Sequence, residues 1–171
     1  MREDNYNEHE DVKMITNQLW KSISILRGVL PVEQHHIYLF LLSAYYDDII
    51  EREVIEREVN YEGLFYVLED DYRYSELLNI YRPIINSLPE WTLKDIIEGL
   101  VIINKDIPEF IFNKVFDNLL FKLASNQGKY SGEFLLPNEV SSLVMKLVDI
   151  PNRAKVFNPF AGLASFATHL N

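Results

Sequence analysis

Apolar residues recur three and four positions apart along most of this 171-residue chain, and strand-like alternation is nearly absent before residue 154. That period confines the body to helices, because only a helix gathers positions i, i+3 and i+4 onto one face. Val12, Ile15, Leu19, Ile23 and Leu26 mark a first helix, with Asp11 placed to cap it and Gly28 to end it. Pro31 stands where a first-turn proline is tolerated. Residues 37–50 are apolar almost all round, the pattern of a central buried helix. The acidic stretch 47–71 carries Glu-Arg-Glu-Val twice, at 51–54 and 56–59. It reads as the exposed end of that helix passing into a loop, and the doubled tetrapeptide is too short to be a structural repeat.

Three further helices are expected before a change of composition. Ser75 is placed to cap one carrying Leu77, Leu78, Tyr81, Ile84 and Ile85. Thr92 and Asp95 form a capping-box pair ahead of Leu93, Ile96, Ile97 and Leu100. Pro108 opens a third, with Ile111, Val115, Leu119 and Leu123 on one face and Gly128 beyond its end. Residues 125–132, Ser-Asn-Gln-Gly-Lys-Tyr-Ser-Gly, then read as a loop or hinge. Pro137 starts a helix with Val140, Leu143, Val144 and Leu147 inward, residues 149–153 read as a turn, and residues 155–158 as a strand. The expected organisation is a helical domain over 1–126, then a hinge and the incomplete start of a second domain over 127–171.

Composition narrows the chemistry. Hydrophobic residues make up 48% of the chain and aromatics 13%, ample for a buried core. Cysteine is absent, which removes disulfides and thiolate metal sites and fits a reducing cytoplasm. The first ten residues are acidic and polar, unlike a secretory signal. The densest apolar run, 37–46, is half the roughly 20 residues a membrane span needs, so no membrane partner is expected. The formal net charge is −10, and no cluster of Lys and Arg offers phosphates a footing. Such acidity is either a solvated surface or one complementary to a basic partner. His35 and His36 are adjacent on a helix start and point about 100° apart, so no metal site is expected from them. Carboxylate pairs such as Asp47-Asp48 and Asp70-Asp71 lie in the exposed acidic stretch and read as solvated.

Three ordered segments resemble the modification subunits of type I restriction systems, which are N6-adenine DNA methyltransferases. Leu19-Trp20-Lys21 with Leu26-Arg27-Gly28, followed by residues 37–50, is similar to that family's opening helices. Gly132-Glu133-Phe134-Leu135-Leu136-Pro137 resembles its G-E-F-Y-T-P segment, and Asn158-Pro159-Phe160-Ala161-Gly162-Leu163-Ala164-Ser165-Phe166 its D-P-A-C-G-S-G-G-F cofactor loop. The resemblance implies a helical-bundle domain followed by the first strand and glycine loop of an α/β S-adenosylmethionine-dependent methyltransferase domain. It implies cofactor contacts at Phe134, Pro137, Asn158, Pro159, Phe160, Ala161, Gly162 and Ala164. The departures are specific. Asn158 replaces the family's acid, turning a charge-assisted hydrogen bond into an ordinary one of roughly half the strength. Ala164 replaces the second glycine and leaves less room for close backbone approach. Leu135-Leu136 removes two polar handles.

Each of these positions also has a plainer reading. Gly162 alone is a turn glycine; the upstream 132–137 segment makes it a cofactor loop. Phe134 can be the apolar anchor of an inter-element loop. Asn158-Pro159-Phe160 lacks the second proline of the family's catalytic Asn-Pro-Pro-Phe motif, so it belongs to the cofactor loop, and no catalytic residue is expected within these 171 residues. Trp20 is expected in the core and Arg27 in an ion pair, while Lys21 and Arg27 remain weak candidates for DNA or partner contact. The implied function is the N-terminal portion of a DNA adenine-N6 methyltransferase subunit, inactive by itself and not holding S-adenosylmethionine tightly. Its implied partners are a specificity subunit, a second modification subunit and duplex DNA in the full complex, with weak or no DNA binding by the isolated chain. Two alternatives stand beside it: a stand-alone helical interaction module from a truncated methylase gene, and a methyltransferase acting on a non-DNA substrate.

Overall fold

The computed structural model describes residues 8–50, 61–101, 103, 106–131, 138–148, 150, 151 and 153–158. The described residues are mainly helical: α1 (Glu8–Ile23), α2 (Ile37–Tyr46), α3 (Tyr61–Asp70), α4 (Tyr72–Ser87), α5 (Glu90–Leu100), α6 (Glu109–Ser131) and α7 (Asn138–Leu147). Short 3₁₀ turns at Ser24–Leu26 and Val32–Gln34 lead from α1 into α2. The chain divides into two compact units, Met1–Asn126 and Gln127–Asn171.

In the first unit α2 is the centre. Ile37, Tyr38, Leu41 and Leu42 are fully buried, and α2 packs against α4 and α5, with α1 against α5. A buried leucine or isoleucine contributes about 1.5–3 kcal/mol, which explains why an all-apolar helix must lie inside. The face expected on α1 is the buried one, Val12 through Leu26, and the face expected on α6 is buried from Ile111 to Leu123. Gly28 ends the first segment with φ +81°, a left-handed conformation that costs a residue with a Cβ about 1–2 kcal/mol. Tyr46 joins α2 to the start of α6: its ring stacks on Phe112 at 3.7 Å and its hydroxyl donates to the Ile107 carbonyl at 3.2 Å.

Several boundaries differ from expectation. α2 stops at Tyr46, because Asp48 turns left-handed at φ 61° and the Ile49 and Ile50 amides fold back onto the Ala44 carbonyl. Residues 61–70 of the acidic stretch are helix rather than loop, burying Leu64, Phe65 and Leu68. The cap of α4 is Asp71, whose side chain accepts from the Arg73 amide at 2.9 Å, so Ser75 lies inside that helix. Pro89 opens α5 with φ −61° and ψ 144°, which leaves Thr92 buried within it instead of capping it. Asp11 is likewise interior to α1.

α6 runs to Ser131 and includes Gly128, so residues 125–131 form no hinge loop. One glycine costs a helix about 1 kcal/mol, too little to end a long one by itself. In the second unit α7 forms over Asn138–Leu147, but its apolar stripe is not inward: Leu143 is 57% and Leu147 75% exposed, while Ser141 is buried. Periodicity shows which face favours burial, and burial also needs a partner surface. The expected turn is present, with Arg153 at φ 66° and the Ala154 amide donating to the Pro151 carbonyl. Residues 154–158 form no strand, and Phe157 is 88% exposed. A strand requires a neighbour for its amides and carbonyls, and none occurs among the described residues.

Candidate functional site

The residues implicated in cofactor binding fall mostly outside the described residues. Phe134, Pro137, Pro159, Phe160, Ala161, Gly162 and Ala164 all do, and Asn158 alone is described, half-buried. A side-chain amide at 158 can accept a hydrogen bond from an ammonium group but supplies no charge to it, so the contact is worth roughly half of what a carboxylate gives.

Lys21 and Arg27 are both exposed. Lys21 lies in the last turn of α1, where its charge complements the helix dipole. Arg27 forms no ion pair among the described residues, contrary to expectation. Trp20 is half-buried against the core, as expected, with the Lys122 ammonium over its ring at 5.6 Å. His35 and His36 point apart. His35 is buried with Nε2 3.2 Å from the Leu30 carbonyl, and His36 Nδ1 meets the Glu33 carbonyl. No group of side chains suited to a metal ion occurs among the described residues.

A polar cluster that sequence reasoning missed gathers on the first unit. Arg73 grips Asp71 through Nε at 3.1 Å and Nη2 at 3.0 Å, and reaches Asp47 Oδ2 with Nη1 at 2.8 Å. The Tyr74 hydroxyl lies 3.0 Å from Asp47 Oδ2 and 3.1 Å from Ser43 Oγ. Its single proton goes to the carboxylate, and the serine hydroxyl donates to its lone pair. Burial above all, with the Asp47 charge and hydrogen bond, pushes the Tyr74 phenol up to about 12. The Arg73 hydrogen bond, chiefly, holds the Asp71 carboxyl below the usual carboxylate range. Asp47 and Asp71 are therefore ion-pair partners rather than simply solvated acids.

This cluster lines a cleft of about 350 Å³ between α2, α4 and α6 together with Phe40, Leu77, Tyr81, Phe116 and Leu120. Phe40 stacks on Tyr81 with centroids 4.2 Å apart. The guanidinium is held by two carboxylates and the phenol stays protonated at neutral pH, so the cluster orients α2 against α4 and supplies no base or nucleophile. The sequence signal was the lone arginine in Asp-Asp-Tyr-Arg-Tyr, a cation among acids, but its partner Asp47 lies 26 residues away.

Comparison with known proteins bears on the other end of the chain. Residues 108–170 match the family model described as N-6 DNA Methylase. The match begins with α6 and runs through the 132–137 and 158–166 segments, a little over a third of the chain. It supports the methylase family and a methyltransferase parent, and that family generally uses S-adenosylmethionine. Residues 1–107 lie outside the match. No curated protein and no solved structure matches the chain. No described helix is long and apolar enough to cross a membrane.

Proposed function

We propose that the chain is the N-terminal portion of a DNA adenine-N6 methyltransferase subunit of a type I restriction-modification system, working in the cytoplasm. The observation that carries this reading is the N-6 DNA Methylase match over 108–170, which spans both segments whose spacing resembles the modification subunits. Residues 1–126 form the helical domain and serve assembly with the specificity subunit, a second modification subunit and duplex DNA. Residues 127–171 begin the methyltransferase domain.

In the complete protein S-adenosylmethionine supplies the methyl group. This chain's contribution to holding it is the 158–164 loop with Phe134 and Pro137. The Asn-Pro-Pro-Phe motif that would accept the target amine's hydrogens is absent from the 171 residues. The isolated chain therefore transfers no methyl group and does not hold the cofactor tightly. Incubation of the chain with duplex DNA and methyl-labelled S-adenosylmethionine tests this directly: no label is expected in the DNA, and turnover would refute the assignment of catalysis to residues elsewhere.

A further inference from the structure

Helix spacing builds the cleft between α2, α4 and α6. Arg73, Leu77 and Tyr81 are four apart on α4, and Phe116 and Leu120 four apart on α6, so each helix brings a row of side chains to one side. His36, Phe40, Ser43 and Asp47 fall three or four apart along α2 and its two flanking positions. The walls are mostly apolar and aromatic, and the polar groups among them are unequal. Arg73 is tied to Asp71 by a fork of two hydrogen bonds at 3.1 and 3.0 Å, which matches one charge with one. The Asp47 carboxylate is left in surplus. Its hydrogen bonds from Arg73 Nη1 at 2.8 Å and from the Tyr74 hydroxyl at 3.0 Å both end on Oδ2, and Oδ1 accepts from no described residue. His36 Nδ1 donates to the Glu33 carbonyl, so the neutral ring keeps Nε2 as an acceptor.

We propose that this cleft binds a small organic cation, an ammonium group carried on a single aromatic ring. An ammonium brings N–H donors and a positive charge to a site whose surplus group is a carboxylate. Aromatic faces are negative and attract cations, and Arg73 already lies over the Tyr74 ring, 5.6 Å from its centroid. An anion is disfavoured twice. It meets the same ring faces, and the spare proton on Arg73 Nη1 belongs to the nitrogen that already binds Asp47, so an anion there lies beside a like charge. A neutral molecule of the same shape gives Asp47 only an ordinary hydrogen bond, of roughly half the strength. Volume sets the size of the body. At about 350 Å³ the cleft is near the lower bound of ligand pockets, about 300–1,000 Å³, which suits one ring on a short arm. A lysine side chain carries the ammonium without a ring and covers less of the wall formed by Phe40, Tyr81 and Phe116. The proposal does not depend on the methylase reading.

The test is a titration of the full chain at neutral pH with probes that share one body and differ in head group: 2-phenylethylammonium, 2-phenylethanol and 3-phenylpropionate. Nuclear magnetic resonance on chain labelled at phenylalanine and tyrosine follows the rings of Phe40, Tyr81 and Phe116. The ammonium is expected to shift those rings with a Kd of about 1 mM. It should bind about tenfold more tightly than the alcohol, with the carboxylate weaker still. Asp47→Asn keeps the size of the side chain and an acceptor oxygen for Arg73 and Tyr74. It should bring the ammonium to within about twofold of the alcohol. Phe116→Leu, at a half-buried position, should weaken the ammonium about threefold. The order of the head groups on the wild-type chain needs no variant, so it decides the matter even where a substitution disturbs folding. Alcohol or carboxylate binding as tightly as the ammonium would overturn the proposal, as would ring signals that do not move. So would a folded Asp47→Asn variant that keeps the preference, or a trilysine peptide shifting the same rings at lower concentration than 2-phenylethylammonium. Each of these results leaves the methylase reading standing, because that reading is decided by methylated product and not by this titration.

Discussion

At residue scale, two glycines and two phenols give substitutions whose effects the structure separates. Gly28 has φ +81° and open space around it, so Gly28→Ala meets no clash and carries only the left-handed penalty, about 1–2 kcal/mol in urea unfolding. Gly99 is different: a Cβ there would come within 3.1 Å of Ser22 Oγ, across the contact of α5 with α1. Gly99→Val should therefore overpack the interface and destabilise by about 1–3 kcal/mol. The Tyr38 hydroxyl is buried without a hydrogen bond of ordinary geometry, and burial, partly offset by Ser22 beside it, raises its pKa far above the ordinary value. Tyr38→Phe should be neutral or stabilising, because it removes an unsatisfied polar atom and keeps the ring. The phenols also set the alkaline limit. Tyr74 titrates at about 12 in the folded chain against 10.0 for an ordinary tyrosine. Its neutral form thus supports folding fully below pH 10, and that support is lost as pH rises towards 12. Tyr74→Phe should flatten this limb of a plot of Tm against pH. Asp71 works in the opposite sense: its depressed pKa gives support above the ordinary carboxylate range that is lost as pH falls through the folded value.

At the scale of elements, the helices differ in what their apolar faces accomplish. Leu41 on α2 and Leu119 on α6 are fully buried, and truncating either to alanine should cost about 2–5 kcal/mol. Leu143 on α7 belongs to an equally regular stripe but is exposed, so Leu143→Ala should stay within about 0.5 kcal/mol of wild type. Comparing the three variants by denaturant midpoint separates a stripe that is packed from one that is only patterned. This contrast marks how far the fold was legible. The faces of α1 and α6 could be read because their four- and five-residue sets repeat without interruption. α3 was hidden because Leu64, Phe65 and Leu68 lie between acids that read as loop. Start signals misled wherever a second one lay just upstream: Asp71 precedes Ser75, and Pro89 precedes Thr92. Asp71 prevails because its carboxylate accepts from the Arg73 amide, and Pro89 because its fixed φ sets the entry to the helix and its carbonyl accepts from the Thr92 and Leu93 amides; each leaves the later residue inside the helix.

At the scale of the whole molecule, the chain joins a helical unit with its own core to a second unit, and the methylase-family match runs from residue 108 in the first through residue 170 in the second. The candidate site was legible only as a string of residues. Gly132 to Pro137 and Asn158 to Phe166 can be recognised from order and spacing, whereas the Asp47–Arg73–Tyr74 cluster and the cleft it lines join residues far apart in sequence. Asn17 and Lys122, 105 positions apart, meet only because two helices pack side by side. The central claim is that these helices belong to an enzyme that methylates adenine in DNA. The direct measurement is made on the gene product carrying this chain, co-expressed with the proposed specificity subunit and incubated with duplex DNA and S-adenosylmethionine. The DNA is then digested to nucleosides and read by mass spectrometry. The account predicts N6-methyladenine from that assembly and none from the 171-residue chain alone. Labelled methyl groups on protein, RNA or a small molecule, with none on adenine in DNA, would contradict it.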